Sequence, residues 1–237
     1  MSGLVSVVLT TFNRPNLLAR ALRSVVNQSY ENWECLVIDD ASEKPVGHIV
    51  DSFDDERIMY HRHEKNHGLS AARNTGLQIA SGSMVAFFDD DDEWLDTKLE
   101  KQVRCLEQAD PGVALVYCWM QVVKEGEIFD TRCPKLRGDI FQHTLDRQPL
   151  GNGSTWLLRR SAVLEEGGFD ESLDRGIDGD LLRRLCRTYK VDYVADCLVR
   201  YHIGHGNERI TRSDREGLEN ALAGKSKKLE KFKKELD

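Results

Sequence analysis

Four apolar runs alternate with helix-patterned stretches over the first hundred or so residues, and this alternation narrows the possible folds more than any other feature. "LVSVVLTTF" (Leu4–Phe12), "WECLVIDD" (Trp33–Asp40), "RIMYHRH" (Arg57–His63) and "MVAFF" (Met84–Phe88) read as four strands. After the first, Pro15 suits an opening helical turn with Asn13 or Arg14 near its cap. Leu17, Leu18, Ala21, Leu22, Val25 and Val26 follow at helical spacing. Ser70 is a candidate cap for a second helix carrying Ala71, Ala72, Leu77 and Ile79, which stops near Ser81–Ser83. Leu95 to Leu106 predicts a third. Strands alternating with helices at this pitch imply an α/β fold with a mostly parallel sheet covered on both faces. Ligands of such sheets bind beyond the carboxyl ends of the strands. Strands one, two and four end in "TTFNR", "DDAS" and "DDDDEW", so three polar clusters are expected on one rim.

The second half is patterned differently. "GVALVYCWMQVV" (Gly112–Val123) predicts a strand, which Gly126 turns into a short "EIFD" return. "STWLLRR" (Ser154–Arg160) is another strand, "GGFDESL" a Gly-rich turn, and Asp180 to Tyr189 a helix. "VDYVAD" and "LVRYHI" read as two short strands. No Pro-, Gly- or Ser-rich linker separates the halves, and there is no internal repeat. The expectation is one composite domain over residues 1–212, divided into halves 1–110 and 111–212, followed by a basic amphipathic helix over 213–237. In that tail Leu229, Phe232 and Leu236 share one face among lysines, which suits a packed stripe or peripheral contact with an anionic membrane.

Charge and cysteine usage exclude several classes. Lys and Arg number 33 against 40 Asp and Glu, a net charge of -7, so nucleic acid is not the expected partner. No apolar run approaches the roughly 20 residues needed to span a bilayer. "MSGLVSVVLTTFN" reads as a first strand rather than a signal peptide. The six cysteines are scattered without a C-x-x-C pair, which points to thiols in a reducing cytoplasm and away from zinc. Neither a G-x-G-x-x-G fingerprint nor a P-loop is present, which argues against dinucleotide and NTPase readings.

"MVAFFDDDDEW" poses a sharper question. Adjacent carboxylates repel, and carboxylates beside a low-dielectric core are costly unless paired or bound to a metal. A solvated acidic turn is one answer and a cation site another. Five motifs decide between them: "VSVVLTTFNR", "VIDDAS", "NHGLSAARNTG", "FFDDDDEW" and "GGFDE", in that order, resemble the family 2 glycosyltransferases of the GT-A fold over roughly Val5 to Thr211. The resemblance implies inverting transfer of a sugar from a nucleotide diphosphate, a UDP-sugar by preference, to a hydroxyl of a saccharide or lipid-linked acceptor. It also implies Mn²⁺ or Mg²⁺.

Carried onto this chain, the resemblance assigns roles residue by residue. Asp39 or Asp40 suits the imide N–H of a uracil ring, and the resemblance places that role on Asp39. Thr11 meets the base through backbone or hydroxyl, with Arg14 nearby. Asn66 and Gly68 suit a tight turn where backbone approaches a ligand. Arg73 offers a planar fork to uracil or phosphate oxygens. The family's D-x-D falls on Asp89, Asp90 and Asp91. Asp91 is the expected metal ligand, with Asp89 directed to ribose or metal-bound water and Asp90 in support. Asp92 and Glu93 are expected at the start of the next helix, where its dipole favours acids.

Inversion needs a base for the acceptor hydroxyl. In "RGIDGDLLRR" Asp178 takes that position, although Ile177 and Gly179 depart from the usual acid before it and aromatic after it. Asp180 is the fallback base, or a helix cap beside the acceptor. His205, in preference to His202, completes the metal site, and Arg209 serves a phosphate. Trp156 either stacks on an acceptor sugar or belongs to the core. Two other readings are weighed. A sugar nucleotidyltransferase would carry a Gly-rich basic loop where "TTFNRPN" stands, and a non-catalytic binding module would have no need of Asp91 and Asp178.

Overall fold

The computed structural model describes residues 3–204. His205, Arg209 and the expected helix over 213–237 lie outside the described residues. Among the described residues nine strands join in one sheet: β1 (Val5–Thr11), β2 (Trp33–Asp39), β3 (Ile58–Arg62), β4 (Met84–Asp89), β5 (Asp92–Trp94), β6 (Val113–Lys124), β7 (Glu127–Arg132), β8 (Trp156–Arg159) and β9 (Lys190–Ile203). Their order is β3-β2-β1-β4-β8-β6-β9-β5, with β7 alongside β6. Six helices accompany them: α1 (Pro15–Val26), α2 (Gly47–Asp51), α3 (Leu69–Ile79), α4 (Lys98–Gln108), α5 (Arg160–Glu165) and α6 (Ile177–Thr188).

The first half is parallel, as its continuous apolar strands require. Every residue of β1 is buried. Val5, Val7 and Leu9 face one core cluster with Leu18 and Leu22 of α1 and Leu99 of α4. Val8 faces the other, with Ala72 and Leu77 of α3 and Leu181 of α6. Gly76 permits the close approach of α3: a Cβ there would stand 2.3 Å from Val8 Cγ1. In register, Thr11 pairs with Asp39 and Thr10 with Asp89. The ends of β1, β2 and β4 therefore lie level on one rim. Beyond β4 the sheet is mixed: β8 runs antiparallel to β4 and β6, β9 parallel to β6, and β5 antiparallel to β9.

Four local expectations are corrected. "VDYVAD" and "LVRYHI" are one strand, β9, because its long pairing with β6 carries the chain through the exposed Asp196, with register shifts around Trp119. Asp92 and Glu93 do not open a helix. They lie in β5, with Asp92 opposite Tyr201, and α4 starts only at Lys98. Gly68, at φ 88°, rather than Ser70, precedes the first turn of α3. Finally, α6 starts at Ile177 behind Gly176 in the left-handed conformation (φ 66°), which puts both Asp178 and Asp180 in its first turn.

Candidate active site

The acidic run is divided among separate partners. Asp90 turns inward, where Thr11 Oγ1 donates to its Oδ2 at 2.7 Å and Arg14 Nη1 to its Oδ1 at 3.1 Å. Burial pushes the Asp90 carboxyl up to about 7, with Arg14 and Thr11 pulling the other way. Arg14 also lies 3.4 Å from Asp91 Oδ2, and Arg20 Nη2 donates to the Asp91 carbonyl at 2.7 Å. Asp89 faces Arg73, whose Nη2 donates to its Oδ1 at 2.7 Å. Burial, with Asp178 and Asp91 nearby, raises the Asp89 carboxyl, and Arg73 opposes that rise.

Asp92 is fully buried. Asn152 Nδ2 donates to its Oδ2 at 2.6 Å, while Oδ1 has no hydrogen-bond partner. Burial first, then Asp91 and Asp89, hold this carboxyl well above the usual carboxylate range. Asp89, Asp91 and Asp92 each offer an oxygen within 4.8 Å of the others. A cluster of hard oxygen donors with one buried oxygen left unsatisfied fits Mg²⁺ or Mn²⁺. Asp92 is thus a candidate ligand that the local sequence pattern assigned to a helix.

Asp178 is brought to the same rim from α6. Its Oδ1 lies 2.5 Å from Arg73 Nη1, and its Oδ2 accepts from the Gly153 N–H at 3.0 Å. The turn Asn152–Ser154 therefore serves three acids: Asn152 bonds Asp92, Gly153 bonds Asp178, and Ser154 Oγ accepts from the Asp89 N–H at 3.2 Å. The Asn-Gly-Ser sequence signals a turn, but nothing local reveals its partners.

The remaining expected residues divide. Asp39 is fully buried beneath the rim, accepting from the Ser42 N–H at 2.8 Å and the Tyr60 hydroxyl at 2.6 Å. Burial first, and then Asp39, push the Tyr60 hydroxyl up to about 12. Asp40 instead braces the following loop, accepting from His63 Nδ1 and the N–H groups of His67 and Gly68 at 2.7–2.9 Å. Asn66 is exposed on that loop. Arg73 is no surface arginine, since only 1% of it is exposed.

Both residues weighed for an acceptor surface are buried. Trp156 is fully buried in the core cluster beneath α6, because it opens a central strand, and it presents no face to a sugar. Asp180 turns to its own helix, accepting from Arg184 Nε at 2.9 Å. Arg184 in turn donates to the carbonyls of Glu166 and Gly168. His202 Nε2 lies 3.1 Å from Glu93 Oε2; burial and Arg20 lower its pKa against the pull of Glu93.

The α/β sheet thus gathers a carboxylate cluster at its strand ends. The description "Glycosyl transferase family 2" belongs to the family model that matches residues 6–168, and the chain belongs to that family. WcaA of Escherichia coli K12, named a putative colanic acid biosynthesis glycosyl transferase, is 31% identical over 221 residues, covering 89% of this chain and 76% of WcaA. Residues 1–349 of S. aureus TarS in complex with UDP-GlcNAc share the fold with a TM-score of 0.74 at 18% identity, over 91% of this chain and 64% of that one. The mannosyltransferase PcManGT of Pyrobaculum calidifontis, in complex with GDP-Man and Mn²⁺, gives 0.68 at 22% identity, over 87% and 59%. The chain thus spans less than two thirds of either solved chain. Among the described residues no helix is long and apolar enough to cross a membrane.

Proposed function

We propose that this chain transfers a sugar with inversion from a nucleotide diphosphate, UDP by preference, to a hydroxyl of a saccharide or lipid-linked acceptor. The observation that carries the proposal is the cluster of Asp89, Asp91 and Asp92 at the strand ends, with the buried Asp92 Oδ1 unsatisfied. These residues would hold Mn²⁺ or Mg²⁺. A bound divalent ion supplies Lewis-acid stabilisation of the departing diphosphate.

The other groups act on the organic reactants. Asp178 takes the proton from the acceptor hydroxyl as that oxygen attacks the anomeric carbon. The bond from that carbon to the phosphate oxygen breaks, and its electrons leave with the diphosphate. Thr11, Arg14 and the loop of Asn66 and Gly68, held by Asp40, frame the nucleotide, with Asp39 bracing the turn below. The name of WcaA, with its colanic acid pathway, supports a saccharide-building role. Six free thiols support a reducing compartment, so we place the reaction in the cytoplasm or at the inner membrane face, with residues 1–212 as the catalytic unit and 213–237 as the candidate membrane contact.

A panel of UDP-, GDP- and TDP-sugars, each with acceptor saccharides and with Mn²⁺, Mg²⁺ or chelator, tests this reading. The expected outcome is metal-dependent release of a nucleoside diphosphate, from UDP-sugars first. Release of pyrophosphate from a nucleoside triphosphate and a sugar phosphate would identify a nucleotidyltransferase instead. Binding without turnover would identify a non-catalytic module.

A further inference from the structure

Arg73 occupies an unusual place for a residue expected to meet the donor. It is almost completely buried, with the guanidinium carbon 5.0 Å from the centroid of Phe169 and 6.0 Å from that of Phe87. Its two terminal nitrogens are already committed, Nη2 to Asp89 Oδ1 at 2.7 Å and Nη1 to Asp178 Oδ1 at 2.5 Å. A phosphate or a uracil carbonyl would meet here a guanidinium that is almost completely buried and whose charge is already paired with two carboxylates. The planar fork is also what lets one side chain serve two carboxylates from separate elements, a span that a lysine ammonium does not reproduce.

We propose that Arg73 is a positioning residue: it fixes the Asp178 carboxylate relative to Asp89, and so sets the proton acceptor against the donor sugar, without itself touching the nucleotide. The inference rests on the reading of Asp178 as base. Three elements meet at this one guanidinium, the end of β4, the middle of α3 and the first turn of α6. The Gly153 N–H supplies the second tether, holding Asp178 Oδ2 at 3.0 Å. The turn packs directly against the pair: a Cβ at Gly153 would lie in ordinary contact, 3.4 Å from both Arg73 Nη2 and Asp178 Oδ1. A carboxylate tethered at both oxygens keeps its orientation while acceptors come and go, and catalysis by positioning depends on such fixity.

The test compares full-chain Arg73→Lys, Arg73→Ala and Asp178→Asn for UDP affinity by calorimetry with Mn²⁺, and for transfer kinetics with the best donor of the panel. Arg73→Lys is expected to keep UDP affinity within about twofold while kcat falls about a hundredfold, the cost of a misplaced reacting group. Added guanidinium should restore part of the kcat of Arg73→Ala, and methylammonium should not. Weakened UDP binding with unchanged kcat in Arg73→Lys would overturn the proposal and return Arg73 to the nucleotide; so would unchanged kcat and affinity together. If the Arg73 variants do not fold, Gly153→Pro removes the second tether, and the same split between kcat and affinity is expected. An intact kcat there would overturn the proposal. Asp178→Asn separates the two layers of the account, since retained transfer in that variant refutes the base and not the clamp.

Discussion

Arg14 Nη1 lies 3.1 Å from Asp90 Oδ1, although the residues are 76 positions apart. This pair joins the start of α1 to the acidic run after β4 and offsets the inward-turned Asp90 carboxylate. Arg14→Ala leaves Asp90 with the hydrogen bond from Thr11 and removes a countercharge from Asp91. Urea unfolding in chelator should show a loss of about 1–3 kcal/mol, the cost of an uncompensated buried acceptor. Mn²⁺ should raise Tm more in this variant than in the parent chain, because the cation replaces part of the missing positive charge. An equal Mn²⁺ shift in both would contradict that view of the cluster.

Asp92 and Asn152 supply the second prediction. Asp92→Asn removes a buried charge, so it should stabilise the metal-free chain while weakening Mn²⁺ binding. Asn152→Ala leaves the carboxylate in place but removes the donor that orients it, which should cost about tenfold in Mn²⁺ affinity. Electron paramagnetic resonance of free Mn²⁺ reads both. Undiminished affinity in Asp92→Asn would remove that residue from the ligand set.

The difference between Asp91 and Asp92 shows what local sequence can and cannot report. β1, β2 and β4 were legible because strands buried on both faces leave unbroken apolar runs, and their polar ends marked the rim directly. Asp92 was not, because its strand exists only through pairing with Tyr201 and its neighbours, more than a hundred residues later. Arg73 was legible as a fork for oxygen ligands, but not its depth in the fold. Its partner Asp178 lies 105 positions away, and Phe169, which packs against it, 96 positions away. Trp156 was ambiguous for the same reason: a tryptophan beside a turn serves a surface or a core equally well until the neighbouring strands are placed.

Lys98 gives a pH-dependent prediction. It is fully buried at the start of α4, its Nζ lies 3.8 Å from the Trp94 ring centroid, and that nitrogen has no hydrogen-bond partner. Burial lowers its pKa from 10.5 to about 8. Between those values the unfolded chain holds a proton that the folded chain releases, so this group makes stability rise with pH across that window. The rise should be at most about 3 kcal/mol, reduced by the cation–π contact. Lys98→Met should remove the slope and raise stability at pH 7. Parallel pH profiles for the two chains in urea titrations would contradict it.

Trp156 tests the division between core and acceptor surface. Trp156→Phe keeps an aromatic ring in the core and should change stability by less than about 1.5 kcal/mol with acceptor KM unmoved. Trp156→Ala should cost about 3–5 kcal/mol. A selective rise in acceptor KM for Trp156→Phe, without a change in stability, would place this side chain in the acceptor site after all.

The proposed function requires the carboxylates at the strand ends to bind a nucleotide diphosphate through a divalent cation. Calorimetric titration of UDP into the full chain, with Mn²⁺ and with chelator, and the same pair for Asp91→Ala, tests it most directly. UDP binding should strengthen with Mn²⁺ in the parent chain and lose that dependence in Asp91→Ala, with the fold intact. No binding of UDP, GDP or TDP under either condition would contradict it.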